Sequence, residues 1–346
     1  MMDATTWPLW AQFAVFFVAA GAIGWSGTQL AGLGDRLADR TDLGEAVTGS
    51  LFLGLTTALP GLAASITAAL DGRPALAISN AIGGIAIQTT FLAVGDIVYP
   101  KANLEHAAAS VTNMIQTALL VILLTLVLLG LTGPEATVGH VHPMTILLFL
   151  VVGASFWMVY QSSLEPMWRP KETPRTVLDV PEAKHRRESL SKLLLGFLGN
   201  AIVVTGAGFL VARTTGSLSD ATGINETVAG GLFSGVATSL PELVTTVAAV
   251  RRGALTLAVS DIVGGNFFDV LFVFAADLAY LGGSLYHGGS VGGREAFLTA
   301  LAVLLNLVLL LGLLFRQREG PANIGFESVL ILLLYLGGFL TLSFWM

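Results

Sequence analysis

The sequence predicts an all-α membrane protein of ten transmembrane helices, arranged as two five-helix repeats of inverted topology. Three observations carry that prediction: apolar runs of span length along the whole chain, an internal duplication, and a one-sided distribution of Lys and Arg.

The chain has 346 residues, of which 54% are hydrophobic and 12% charged, and a mean hydropathy of +0.78. That composition lies far from a water-soluble domain. Runs of about 20 apolar residues, enough to cross a bilayer core, recur throughout. Ten spans are expected, near 8–31, 45–70, 74–99, 106–131, 143–163, 190–213, 226–250, 254–282, 295–315 and 324–345. Most exceed the minimum length, so tilt is expected. Residues 164–189 are rich in Pro and charge and divide five spans from five. The expected units are therefore a first repeat, 1–163, a linker, 164–189, and a second repeat, 190–346.

The duplication appears when the numbering is shifted by 181, which lays residues 45–96 on 226–277 without a gap. Glu45 falls on Glu226, Pro60 on Pro241, Gly83-Gly84 on Gly264-Gly265, and Asp96 on Asp277. Roughly a third of the positions are identical, as an internal repeat requires. The match weakens but continues back to Gly27 on Gly208.

Lys and Arg orient the chain. With the N-terminus outside, fourteen of them lie inside and only Arg73, Arg213 and Arg294 outside. Cytoplasmic loops carry the excess of positive residues. Both termini are then expected outside and the 164–189 linker in the cytoplasm. Five spans per unit force the second unit to insert upside down, an arrangement typical of secondary transporters.

The chemistry is concentrated in residues 225–281. Two spans there each carry a carboxylate near mid-span, Glu242 and Asp269, next to a helix breaker, Pro241 and Gly264-Gly265. An ionisable residue at membrane depth marks an ion pathway by default. Pro241 has no N–H to offer the carbonyl of Ala237, and such carbonyls occur where they line a cavity or hold a cation. Thr238 and Glu242 share a helix face, as do Asn266 and Asp269. With Ser239 they form an all-oxygen set suited to a hard cation. The first repeat keeps the breaks Pro60 and Gly83-Gly84 and the hydroxyl of Thr57. It puts Gly61 where Glu242 would be and Gln88 where Asp269 would be. Gln88 reads either as a ligand or as an interhelical hydrogen bond.

TSLPE at 238–242 followed by GGNFFD at 264–269 resembles the repeat signature of the cation/Ca²⁺ exchanger superfamily, here with a degenerate first repeat. The resemblance covers about 21–99 and 202–280. It implies a secondary active antiporter, not an enzyme, that exchanges Na⁺ for Ca²⁺ by alternating access, with H⁺-coupled exchange of Ca²⁺ or another divalent cation as the alternative. It places the cation between spans 2, 3, 7 and 8. By motif position it carries over Thr238, Ser239, Glu242, Gly265 and Asp269, with Thr57 from the first repeat. The family has a glutamate in each repeat, so Gly61→Glu is expected to strengthen divalent binding.

Other readings of these residues are weaker. Gly32-Leu33-Gly34-Asp35 spells a motif of intramembrane aspartyl proteases, but no membrane aspartate precedes it to share a proton. A passive channel fits inverted repeats with a midplane site less well than alternating access does. Absence of Cys removes disulfides, thiolate metal sites and a cysteine nucleophile. Met1 to Trp10 shows no cleavable signal. The five histidines fall in predicted loops at no common spacing, against a histidine metal site. The basic cluster Lys184–Arg187 sits beside a span and reads as a topology determinant. The expected partners are the bilayer and inorganic cations of a prokaryotic plasma membrane, with no nucleic acid and no resident cofactor. Asp96 and Asp277 read as helix-end carboxylates in water, with a vestibule role as the alternative because they recur in both repeats, and Glu45 and Glu226 as helix N-terminal residues. Trp7, Trp10, Trp168, Trp345, Tyr99 and Tyr280 read as an interfacial belt.

Overall fold

The computed structural model describes residues 7–41, 54–108, 110–164, 168–174, 176, 189–317, 320 and 324–345. Among these the regular secondary structure is helical, apart from one isolated bridge between Val138 and Val141. Eight helices are long and apolar enough to cross a membrane, or nine if one bent pair counts as a single span. The chain is a multi-pass helical membrane protein. The span expected at 45–70 lies partly outside the described residues, as does Glu45.

The first half contributes α1 (Leu9–Thr41), α2 (Gly54–Thr57), α3 (Leu59–Leu70), α4 (Pro74–Val98), α5 (Leu104–Ala107), α6 (Val111–Thr132) and α7 (Pro143–Leu164). The second contributes α8 (Leu190–Thr222), α9 (Glu226–Thr238), α10 (Leu240–Arg252), α11 (Leu255–Ala279), α12 (Gly293–Phe315) and α13 (Phe326–Phe344). Within α9 the residues Ala229–Ser234 widen to a π-helical turn, a departure that recurs at functional sites.

Helices α4 and α11 are the centre of the bundle. Both carry apolar residues on every face and are buried along most of their length, as a helix with no solvent face must be. At 33 residues each, α1 and α8 exceed the expected spans. Each is about 50 Å long at 1.5 Å per residue, well beyond a bilayer core of about 30 Å. They pack along each other, α8 also against α3 and α1 against α10. Trp10, Phe17 and Trp25 of α1, and Leu195 and Ile202 of α8, are exposed and suit a lipid-facing surface.

The breaks lie where the prolines placed them. Chain direction changes by 46° between α9 and α10, at Ser239. In the first half Ala58 occupies the same place between α2 and α3. Its N–H reaches the carbonyl of Gly54 at 3.1 Å, and the N–H of Ser239 reaches that of Gly235 at 3.1 Å. The turns that follow end on Gly72 and Gly253, at φ 73° and 84°; glycine adopts such left-handed angles without steric cost.

Contacts between the halves are reciprocal at the interval of 181. A Cβ on Gly54 would lie 3.0 Å from the backbone N of Gly265, and one on Gly235 3.0 Å from that of Gly84. Gly27 abuts Pro241, and Gly208 abuts Pro60. Only glycine permits these approaches.

Two expectations are overturned here. Asp96 and Asp277 are 1% and 0% exposed and do not face water. Asp96 accepts backbone N–H bonds from Leu104 and Gly325, and Asp277 from Leu285 and His142, each at 2.8–2.9 Å. They clamp the loops that follow α4 and α11, because a buried carboxylate must find donors. Tyr99, read as interfacial, is buried at 7%. Trp10, Trp168 and Trp345 are exposed. Glu226 opens α9 as expected and also pairs with Arg73 at 2.9 Å.

Candidate cation site

Four elements converge where the two breaks face the centres of α4 and α11. α10 begins at the Ser239 break with Pro241 in its first turn, which fixes Glu242 at the start of a new helix. Glu242 is 1% exposed; the Asp269 and Asp261 carboxylates and the Thr57 hydroxyl are its polar neighbours from other elements. α11 carries Asn266 and Asp269 on one face, 0% and 1% exposed. α4 sends Gln88 across the interface, where Nε2 donates to Asp269 Oδ2 at 2.7 Å and to Ser239 Oγ at 3.1 Å.

The glycines bring these groups together. A Cβ on Gly84 would sit 3.2 Å from Asp269 Oδ2 and 3.7 Å from Ser239 Oγ. One on Gly265 would sit 3.3 Å from Gln88 Oε1. Gly264 packs on Gly54, and Gly83 on Gly231. Both prolines border the outer helices: Pro241 meets Gly27 of α1 and Pro60 meets Gly208 of α8.

The structure thus joins Thr57, Gly84, Gln88, Ser239, Glu242, Gly265 and Asp269 in one buried place. Ala237 and Thr238 lie on the turn just before it, both buried. Thr238 donates its hydroxyl hydrogen to Ser234 O of its own helix at 2.9 Å, which leaves its oxygen lone pairs free. Asn266 turns its amide to Thr89 Oγ1 at 3.2 Å. Five buried oxygens here lack a hydrogen-bond donor among the described residues: both carboxylate oxygens of Glu242, Asp269 Oδ1, Gln88 Oε1 and Asn266 Oδ1. Each would cost about 1–3 kcal/mol if nothing satisfied it. An oxygen-rich, negatively charged, desolvated centre of this kind has the chemistry of a site for a hard cation.

A glutamate at Gly61, expected to strengthen divalent binding, would meet Phe272. A Cβ there would lie 2.5 Å from Cε2 of Phe272, whose ring fills the space.

Sequence reasoning also missed Asp261. It lies on α11 with Gly265 and Asp269, at intervals of four, and is 2% exposed. Thr245 Oγ1 donates to its Oδ2 at 2.5 Å, while its Oδ1 has no partner among the described residues. The signal was present, since the shift of 181 sets this acid on Asn80.

Broken helices that face each other across a buried oxygen-lined centre are the architecture of a membrane transporter. Residues 11–161 and 192–345 match the sodium/calcium exchanger protein family, and the chain belongs to that family. It is 25% identical over 328 residues to the putative antiporter CaxA of Alkalimonas amylolytica, covering 94% of this chain and 97% of that one. Over 143 residues it is 28% identical to the sodium/calcium exchanger MaX1 of Methanosarcina acetivorans, covering 40% of this chain and 39% of that one. Its fold superimposes on the solved sodium-calcium exchanger NCX_Mj with a TM-score of 0.65, at 18% identity, over 97% of this chain and 99% of the other.

Proposed function

We propose that the chain is a secondary active antiporter that exchanges Na⁺ for Ca²⁺ by alternating access. The observation that carries this reading is the buried oxygen set around Glu242 and Asp269, with five acceptors still lacking a donor among the described residues. Membership of the sodium/calcium exchanger family supports it. Glu242 and Asp269 supply two negative charges, enough for one divalent or two monovalent cations. Thr57, Thr238, Ser239, Gln88 and Asn266 add neutral oxygens, and the backbone at Ala237 and Gly265 completes the surround.

The units are residues 1–163 and 190–346, joined by a cytoplasmic linker at 164–189 and inserted upside down relative to each other, with both termini outside. The reciprocal pairs Gly27–Pro241 and Gly208–Pro60 support a twofold relation between them. In the exchange cycle α1 and α8 slide as a pair over the core formed by α3, α4, α10 and α11, exposing the site first to one side and then to the other. Their contact with the breaks includes those two glycines, which bring no side chain of their own to it. The membrane is the plasma membrane of a prokaryote.

The test is Ca²⁺ flux in proteoliposomes loaded with Ca²⁺, under imposed Na⁺, K⁺ or H⁺ gradients. A Na⁺ gradient is expected to drive Ca²⁺ movement. If only a H⁺ gradient does so, the coupling ion is the proton. If no gradient moves Ca²⁺, the reading falls.

A further inference from the structure

Asp261 occupies the place of Asn80 in the duplicated sequence, and the two side chains have opposite hydrogen-bonding character. Asn80 donates from Nδ2 to the carbonyl of Gly61 at 3.0 Å and to Ser65 Oγ at 2.9 Å. It accepts from Ser234 Oγ at 2.6 Å, so both ends of the amide are satisfied. The positions that answer to Gly61 and Ser65 in the second half are Glu242 and Thr246. They again offer a carbonyl and a hydroxyl oxygen. A carboxylate at 261 has no hydrogen to give to either.

What the second half has instead is Thr245. Its Oγ1 lies 3.0 Å from the carbonyl oxygen of Glu242 and 2.5 Å from Asp261 Oδ2. One hydroxyl hydrogen is thus shared between two acceptors. Asp261 Oδ1 and Thr246 Oγ1 have no hydrogen-bond partner among the described residues, although the two residues are 2% and 0% exposed. At this place the second half lacks two N–H donors that the first half keeps. It has gained a negative charge, and the groups around that charge are acceptors.

We propose that a monovalent cation, Na⁺ in the exchange described above, takes the place of the missing amide donors. Its ligands are the Asp261 carboxylate, the Thr245 and Thr246 hydroxyls and the Glu242 carbonyl. The inference rests on the exchanger reading for the identity of the ion. One carboxylate balances one monovalent charge, and an all-oxygen set suits a hard cation. Eight residues along α11 separate this place from Asp269 by about 12 Å, towards the turn that carries Arg251. It is therefore a station distinct from the centre at Asp269, connected to it through Glu242.

The test uses the purified full-length protein without Ca²⁺. Asp261→Asn reproduces Asn80 and restores both donors, so the variant is expected to fold. Equilibrium binding of radiolabelled Na⁺ should give one Na⁺ fewer per chain for Asp261→Asn than for the unaltered protein. In a Glu242→Gln, Asp269→Asn background, which keeps the Glu242 carbonyl, Na⁺ should still raise the melting temperature, and adding Asp261→Asn should abolish that rise. Should Asp261→Asn not fold, Thr246→Val removes one ligand and should weaken the residual Na⁺ response in the same background. Equal Na⁺ counts with and without Asp261, or a response indifferent to Thr246→Val, overturn the proposal. If the unaltered protein binds neither Na⁺ nor Ca²⁺, the exchanger reading itself has failed. If it binds both and Asp261→Asn changes nothing, only the second station falls.

Discussion

Gln88 donates a 2.7 Å hydrogen bond from Nε2 to Asp269 Oδ2, and the two residues stand 181 positions apart, the interval of the duplication. Equivalent positions of the two repeats therefore touch at the centre of the site. The contact is unequal: an amide from the first half orients a carboxylate of the second. The backbone keeps the symmetry of the duplication, while the charge lies on one side.

Gln88→Ala removes that orienting bond and no charge. A hydrogen bond to a charged group contributes about 1.5–3 kcal/mol, but the freed Asp269 oxygen can turn to the cation. The half-saturating Ca²⁺ concentration is expected to rise by about tenfold or less, with the maximal rate of uptake largely kept. Complete loss of uptake by a folded Gln88→Ala protein would contradict the secondary role of the amide.

Removing a carboxylate should do far more. Glu242→Gln or Asp269→Asn leaves one of the two charges to face a divalent cation in a desolvated site. A unit charge pair at ~4 Å and an effective dielectric of about 20 is worth roughly 4 kcal/mol, several hundredfold or more in binding. Each variant is expected to insert and fold but to lose divalent transport, checked by Ca²⁺ uptake against protein recovered in the membrane. Normal transport by Glu242→Gln would place the site elsewhere.

Phe272 decides what happens at Gly61. A glutamate there meets the ring at its first carbon, 2.5 Å from Cε2, and overpacking of a dense core costs about 1–3 kcal/mol. Gly61→Glu alone is expected to lower the melting temperature and Ca²⁺ uptake. Gly61→Glu with Phe272→Ala should recover stability and tighten divalent binding, because the second charge then has room. A fully stable single variant would show that the ring yields.

Most of the spans, the breaks and the burial of the two acids were legible because each is local. Hydropathy runs mark helices, Pro241 and Pro60 have no N–H wherever they fall, and Gly72 and Gly253 close turns through their own backbone. The partners were not legible, since a face says which side chains lie together but not what meets them. Gln88 was therefore left between ligand and structural hydrogen bond, and it is placed by α11. Phe272 was invisible as the occupant of the space at Gly61. Asp96 and Asp277 were sent to water by their place near span ends, whereas their donors come from loops and from segments over a hundred residues away. Asp261 alone was recoverable, by comparing it with Asn80.

Glu105 is expected to give the protein a pH-dependent stability. It is 0% exposed on the short helix α5, outside the spans. Burial first, and then the charges of Asp96 and Glu327, hold its carboxyl well above the ordinary range. The folded state thus binds this proton more tightly than the unfolded chain, whose glutamates titrate near about 4.3. The stability it contributes is fully present below that value and is lost as pH rises through the folded value. Glu105→Gln keeps the neutral form at every pH. The melting temperature of the unaltered protein should fall, relative to Glu105→Gln, as the buffer becomes more alkaline. Parallel curves would remove Glu105 as the titrating group.

The last prediction concerns the glycines on which α1 and α8 cross the breaks. Gly27 abuts Pro241 and Gly208 abuts the backbone of Pro60. Neither glycine touches Glu242 or Asp269, so neither should alter the oxygen set directly. A side chain at either place must push its helix off the break or lock into it. If α1 and α8 slide as a pair during exchange, the obstruction acts on the movement and not on the ligands. Gly27→Ala and Gly208→Ala are therefore expected to slow Ca²⁺ uptake, each Leu variant more strongly, while equilibrium Ca²⁺ binding to the detergent-purified protein stays within about threefold, under 1 kcal/mol. Binding and uptake measured on the same preparation separate the two effects. If affinity collapses in step with uptake, the crossings shape the site itself. If both are unchanged in a folded Leu variant, α1 and α8 do not move over the breaks.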